Sequence, residues 1–314
     1  MTKTKLIIIG SGPAGYTAGI YAARANLKPI LFTGTFTGGQ LTLTSEIENF
    51  PGFPEPILGS ELMDNMQKQA KNLGVEMIES NIKSVNLNQK PFTCTDDTGK
   101  TYEAESIIIA TGANARWPDI KDVEKFIGFG LSACATCDGF FYRNKDVIII
   151  GGGNTAAMEA LHLSHIAKSV TLIHRRDSLR ADKVMQDRVF ANNKIKIIWS
   201  SIIEDITEQQ NPFGVKAAKI RDLKTNELTE IPTDGIFVSI GSKPNTDIFK
   251  GQLELDDSGY IITTPDSTKT NIEGVFAAGD VKNPQFKQAI IAAASGSLAA
   301  IEAINYLEHQ TNND

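Results

Sequence analysis

The chain is 314 residues long, 41% hydrophobic and 22% charged, with a formal net charge of -6; that length holds two domains of ordinary size. The acidic balance argues against a nucleic-acid binder, and three cysteines do not make a secreted disulfide framework. No apolar run approaches the roughly 20 residues that span a bilayer, so the cytoplasm is the expected compartment.

Lys3 and Lys5 precede a short apolar run, as in signal peptides, but Lys5–Ile9 enters a glycine-rich turn directly and reads as a first strand. The turn is Gly10-Ser11-Gly12-Pro13-Ala14-Gly15, ahead of a helix over 14–25. Glycines at this spacing allow a tight strand-to-helix turn and let backbone amides approach a pyrophosphate at the helix N-terminus. The alternative is a turn that binds no nucleotide. The next strand, Pro29–Phe32, ends in Thr33-Gly34, where an NAD site would place an acidic residue about 20 positions on. That departure weakens an NAD assignment, and Gly279-Asp280 near the C-terminus strengthens an FAD one.

Phe92–Thr95 and Thr101–Ala104, around the Asp97-Thr98-Gly99 turn, have a hairpin pattern in which Cys94 reads as a small buried hydrophobe. Ala104–Gly112 is a strand landmark closing in Ala110-Thr111-Gly112, and Ala113–Pro118 reads as a joint. Cys134-Ala135-Thr136-Cys137 then supplies a CxxC, in which one thiolate attacks a disulfide and the second resolves the mixed product. Two other readings stand beside it. His162 and His165 share a helix face and offer a zinc set with the thiols, although no second CxxC exists, and the cysteines also suit an inert buried pair. The redox reading is preferred, because two cofactor sites in one chain need an electron acceptor. Asp138 suits a general acid for a leaving thiolate, or a turn residue before Gly139. Phe140-Phe141 reads as the start of a core strand in preference to an apolar docking surface.

Val147–Ile150 leads into a second turn, Gly151-Gly152-Gly153-Asn154-Thr155-Ala156, and a helix over 155–166. The strand Val170–His174 after it ends in Arg175-Arg176, with Arg180 beyond. Arginines there favour a 2′-phosphate through charge-assisted, often bidentate hydrogen bonds, so NADPH is expected in preference to NADH. A solvated basic loop is the alternative. Thr233–Gly241 repeats the pattern of Ala104–Gly112, Gly241–Thr246 reads as a second joint, and Val275–Asp280 with a helix over Lys287–Leu307 closes the chain. The repeat predicts an α/β protein of two Rossmann-like, three-layer ββα dinucleotide-binding domains, one inserted into the other. Residues 1–115 and 246–314 are expected to form the FAD domain, and residues 116–245 the NADPH domain carrying the CxxC.

Cys134-Ala-Thr-Cys-Asp-Gly-Phe-Phe141 resembles the signature of bacterial-type, low-molecular-weight thioredoxin reductases. The likeness covers nearly the whole chain and includes Gly10–Ala25, Gly38-Gly39-Gln40-Leu41, Glu48-Asn49-Phe50-Pro51-Gly52, Ala110-Thr111-Gly112, Gly151–Ala156, His174–Asp177 and Gly279-Asp280. Lys287-Gln288-Ala289 stands where that family commonly has Arg-Gln-Ala. The resemblance implies a homodimer in which hydride passes from NADPH to FAD, then to the disulfide, and the dithiol reduces thioredoxin. Cys137 is then expected to face the flavin, Cys134 to attack thioredoxin, and Asp138 to act as acid. Gly10 through Gly15, Thr33, Gly34, Gly39, Gln40, Leu41, Asn49, Ala110, Thr111 and Gly112 are expected around FAD, with Gly279, Asp280, Lys287, Gln288 and Ala289. Gly151, Gly153, Asn154, Thr155, Ala156, His174, Arg175, Arg176 and Arg180 are expected around NADPH, and no metal is expected. The two domains are expected to rotate so that dithiol and NADPH take turns at one flavin. A reductase serving another thiol protein is a second reading, but such enzymes carry an extra N-terminal thioredoxin-like domain, whereas residue 5 here already begins the first fold. A ferredoxin- or flavodoxin-NADP reductase would lack the CxxC, and a nucleotide-sensing or zinc module would be colourless.

Overall fold

The structure is a computed structural model that describes residues 2–43 and 46–311. The chain divides into two compact units, Met1–Asn114 with Lys243–Asp314, and Ala115–Ser242. Both crossings fall slightly ahead of the borders expected at 115/116 and 245/246.

The first unit opens with β1 (Thr2–Ile9), α1 (Pro13–Arg24), β2 (Ile30–Phe32), α2 (Gly59–Asn72), β3 (Glu76–Ile78), β4 (Ile82–Asn86), β5 (Phe92–Asp96) and β6 (Thr101–Ile109). The end of β1 is apolar throughout because both faces are covered: Leu6 and Ile8 join the core under α1 and α2, while Ile7 and Ile9 join a second core with Phe92 and Tyr102. β1 pairs in parallel with β2 and β6, and β2 with β3. The hairpin expected at Phe92–Ala104 is present, but its second arm and the Ala104–Gly112 landmark are one continuous strand. Pro13 opens α1, where its missing N–H costs nothing, and the helix buries a face of mostly small residues.

The second unit contains β7 (Leu131–Ser132), α3 (Ala135–Asp138), β8 (Asp146–Gly151), α4 (Asn154–Ile166), β9 (Ser169–Ile173), α5 (Lys183–Ala191) and β10 (Ile195–Ile198). An antiparallel sheet of β11 (Ser201–Gln210), β12 (Phe213–Asp222) and β13 (Leu228–Pro232) precedes β14 (Gly235–Ser239). The parallel sheet has the order β7-β14-β8-β9-β10. Val147 and Ile149 face α4, and Ile148 faces the antiparallel sheet, so the unit has three layers. Phe140 and Phe141 correct the sequence reading. They lie in a 3-10 turn, Gly139–Tyr142, and Phe140 is 54% exposed, because the chain leaves α3 along the surface before turning into β8.

The chain then returns to the first unit, where β15 (Val275–Ala277) pairs in parallel with β6, and α6 (Ala289–Thr311) follows. The helix begins two residues later than expected, leaving Lys287 and Gln288 ahead of it. The expectation that nothing long and apolar enough for a membrane occurs is also corrected: Ala289–Gln310 meets that test by length and composition. Alanine, glycine and serine supply the run without a block of large apolar residues. α6 buries Ala299, Ala300, Ala303 and Leu307, and at Gly296 an added Cβ would lie 2.1 Å from the Ala14 carbonyl oxygen of α1. Only glycine permits that crossing.

Candidate active site

In the first unit the C-terminal ends of β1, β2, β6 and β15 lie together, the edge at which parallel α/β sheets hold ligands. Gly10 has φ +114°, and a Cβ there would sit 2.2 Å from the Ala110 carbonyl oxygen; at Gly15 it would sit 1.9 Å from the Gly10 oxygen. Those two glycines close the turn. Gly12 differs, since nothing lies within 4 Å of its Cβ position and no side chain caps α1. Its side of the turn is open, with unpaired helix amides to offer an anion. Ser11 ties the neighbouring loops together, its hydroxyl donating to Thr33 O at 2.7 Å and accepting from Gly38 N–H at 3.0 Å. Thr33 in turn donates to Gly34 O at 2.9 Å, and a Cβ on Gly39 would lie 3.5 Å from Gly12 Cα.

Gly279 N–H donates to Ser295 Oγ at 2.7 Å, and its Cβ position is 3.0 Å from the Ala14 side chain, which brings Asp280 to the same edge. Burial lifts the Asp280 carboxyl to about 6, with the Lys287 charge pulling the other way. Asn49 donates to Gln288 Oε1 at 3.3 Å, and Gln40 donates to Asn114 Oδ1 at 3.0 Å. Leu41 packs against the core beside α1 and α2. Thr111 and Asn245 exchange hydrogen bonds of 2.8 and 2.9 Å beside Gly112. Lys287 donates to Pro284 O at 3.1 Å, and Ala289 starts α6. Gly10–Gly15, Thr33, Gly34, Gly39 and Gly279 are therefore held together by short contacts, whereas Gln40, Asn49 and Lys287 bond to Asn114, Gln288 and Pro284.

The second unit repeats the device. A Cβ on Gly151 would meet Ser239 O at 2.5 Å and Ala156 Cβ at 2.7 Å, while Gly153 has nothing within 4 Å and α4 has no side-chain cap. Asn154 and Asp182 exchange hydrogen bonds of 2.9 and 2.7 Å, and Arg180 N–H donates to Gly152 O at 2.6 Å, drawing the loop after β9 over the turn. Thr155 is exposed on α4. His174 is buried against Gly152, with its Nε2 unpaired. Burial first, then the charges of Arg180, Arg176 and Arg175, hold His174 below its ordinary pKa. All three arginines are exposed around this strand end. Open amides, a buried nitrogen without a partner among the described residues and three exposed guanidinium groups fit a phosphate-bearing dinucleotide.

Cys134 and Cys137 are joined as a disulfide across α3. Cys134 is the N-cap, with its Sγ accepting from Cys137 N–H at 3.2 Å and its own N–H donating to Ser132 Oγ at 3.0 Å. Burial raises the Asp138 carboxyl above the usual carboxylate range, and a hydrogen bond from Ser132 opposes the shift. Tyr142, near Asp138 and Asp234, is pushed up to about 12, mainly by burial. A carboxyl whose proton affinity is raised beside a disulfide is suited to deliver a proton to a leaving sulfur. Cys94 lies apart in β5, fully buried. Among the described residues no His, Cys, Asp and Glu cluster is arranged for a metal. The sequence reading missed Ser132, Glu159 and Ser239 at the dithiol and Ser295 and Gly296 behind the first turn. Only Gly296 carried a local signal, since glycine inside a helix costs about 1 kcal/mol and calls for a packing reason.

A family model described as Pyridine nucleotide-disulphide oxidoreductase matches residues 4–296. The thioredoxin reductase of Rickettsia prowazekii is 51% identical over 304 residues, 97% of this chain and 98% of that protein. That of Streptomyces coelicolor is 47% identical over 310 residues, 98% and 95% of the two chains. The solved thioredoxin reductase from Giardia duodenalis shares the fold at a TM-score of 0.92 and 38% identity, covering 98% of this chain and 100% of that one. By these matches the chain belongs to the pyridine nucleotide-disulphide oxidoreductase family, in its thioredoxin reductase branch.

Proposed function

We propose that the protein is an NADPH-dependent, FAD-containing reductase of the thioredoxin disulfide. The observation that carries this reading is the Cys134–Cys137 disulfide, built into the unit that also holds the arginine-ended strand, next to the Asp138 carboxyl whose proton affinity burial raises. The net reaction is NADPH + H⁺ + thioredoxin disulfide → NADP⁺ + thioredoxin dithiol. A bound flavin supplies the passage of two electrons from the nicotinamide to the enzyme disulfide.

The chain's own residues divide the remaining work. Gly12 and the amides opening α1 hold the flavin nucleotide's pyrophosphate, with Thr33, Gly34, Gly39, Asp280 and the Lys287–Ala289 segment around it. Gly153, Asn154 and the amides opening α4 hold the second pyrophosphate, and Arg175, Arg176 and Arg180 pair with a 2′-phosphate. Cys134 attacks the thioredoxin disulfide, Cys137 resolves the mixed disulfide, and Asp138 protonates the departing sulfur. Phe140, exposed beside the pair and stacked by Arg143 at 5.2 Å, offers an apolar contact to a protein substrate. Ile290, Ile291, Leu298 and Ile301 form an exposed apolar strip on α6 that supports a homodimer. A dithiol maintained by NADPH also suits the reducing cytoplasm.

Anaerobic titration tests the cofactor chain. One equivalent of NADPH is expected to yield two new thiols in wild-type protein and none in Cys134→Ser. Flavin bleaching with no thiol gain in the wild type would remove the disulfide from the electron path.

A further inference from the structure

The dithiol turn lies on α4. Glu159, Leu163 and Ile166 follow the i, i+4, i+7 spacing that lines one side of a helix. Leu163 and Ile166 support one end of the turn: a Cβ on Gly139 would come within 3.0 Å of Leu163 Cδ2 and 3.5 Å of Ile166 Cδ1. Glu159, one turn nearer the helix N-terminus, supports the other end. Ala135 N–H donates to its Oε1 at 3.3 Å, and the Ser239 hydroxyl at the end of β14 donates to its Oε2. The Ala135 amide is one of those that a helix N-terminus leaves without an internal partner. Its side chain is fully buried in the cluster that includes Ala156, Ala160 and Leu163, so the peptide is gripped from both sides. Ser239 O is also the atom that excludes a side chain at Gly151. The same strand end therefore locates both the glycine turn and the carboxylate.

We infer that Glu159 is a positioning residue of the dithiol: held by Ser239, its carboxylate fixes the Ala135 peptide and places an acidic group at the residue that follows Cys134. An apolar side chain on this face would satisfy packing equally well, as Leu163 and Ile166 do, so packing alone does not require a carboxylate here. The inference rests on reading Cys134–Cys137 as the redox pair. The negative charge disfavours a thiolate at Cys134 in the reduced protein, while the hydrogen bond holds the turn in place. Glu159→Gln keeps an acceptor oxygen and removes the charge; Glu159→Ala removes both.

The test uses flavin-loaded wild type, Glu159→Gln and Glu159→Ala, each with a native flavin spectrum. The first readout is the pH midpoint of Cys134 alkylation by iodoacetamide in the dithiothreitol-reduced protein. The second is the disulfide–dithiol equilibrium against glutathione. In Glu159→Gln the midpoint is expected to fall by at least about half a pH unit, roughly threefold in thiolate fraction, with the equilibrium moving toward the dithiol by a similar factor. Glu159→Ala is expected to move both at least as far; if it does not fold, Glu159→Gln decides. Midpoints and equilibria indistinguishable from wild type would overturn the inference, even if thioredoxin turnover is intact. Conversely, a shifted midpoint in protein that fails to reduce thioredoxin would remove that substrate and leave the role of Glu159 standing.

Discussion

Gly12 and Gly15 are three residues apart in one turn, yet alanine at each should do different damage. At Gly15 the added carbon would lie 1.9 Å from the Gly10 carbonyl oxygen, so the strand-to-helix turn itself must shift. Overpacking of that kind costs about 1–3 kcal/mol. At Gly12, with φ −71° and nothing within 4 Å of the Cβ position, the flavin-free protein accepts alanine without a clash. Two small terms oppose each other there. Alanine is a poorer N-cap than glycine by about 0.5–1 kcal/mol, and it removes unfolded-state freedom worth about 0.4–1 kcal/mol. Flavin-free Gly12→Ala should therefore stay within about 0.5 kcal/mol of wild type. If the proposed FAD pyrophosphate occupies that open space, losing one charge-assisted amide contact costs about 1.5–3 kcal/mol, a roughly 10- to 100-fold weaker complex. Urea unfolding of flavin-free protein and fluorescence titration with FAD separate the two effects. Wild-type FAD affinity in Gly12→Ala would refute the placement of the pyrophosphate, and a loss of more than about 2 kcal/mol without flavin would refute the steric reasoning.

Asp280 gives a pH signature. Its folded carboxyl titrates at about 6 against 3.8 for the ordinary group, so the folded flavin-free protein binds that proton more tightly than the unfolded chain. Stability is then full below about 3.8, is lost as pH rises toward about 6, and is flat above. Asp280→Asn should stabilise flavin-free protein by about 1–3 kcal/mol at pH 7 and by little at pH 3.5, read by urea unfolding; equal gains at both pH values contradict the assignment. Replacing Arg175 and Arg176 by alanine should weaken NADPH binding about 10- to 100-fold and leave NADH nearly unchanged, by direct titration; equal losses for both nucleotides would remove the 2′-phosphate contact. Burial pushes the Cys94 thiol up to about 12, so mass spectrometry of reduced protein treated with iodoacetamide at pH 8 should find two labels when native and three in urea. A third label on native protein would contradict the burial of Cys94.

Local order was legible wherever one physical demand dominated a short stretch. Leu6–Ile9 had to be apolar because the strand is covered on both faces, and Gly10 and Gly15 had to be glycine because carbonyl oxygens fill the space of a side chain. Arg175 and Arg176 stood out because charge ending a strand is exposed by construction. The misreadings arose where tertiary contacts decide. Two adjacent phenylalanines have no period, so Phe140 and Phe141 could not reveal that they turn along the surface. The membrane-like composition of α6 was hidden because small residues, selected for the crossing at Gly296, provide its apolar character. Glu159 looked like any helix-surface carboxylate, since its partners, Ala135 and Ser239, are 24 and 80 positions away.

The most direct measurement is NADPH oxidation by flavin-loaded protein, with and without thioredoxin, in wild type and Cys137→Ser. Turnover is expected to require thioredoxin and to disappear in Cys137→Ser, although NADPH still bleaches the mutant's flavin. Thioredoxin turnover that survives in Cys137→Ser would contradict the disulfide route.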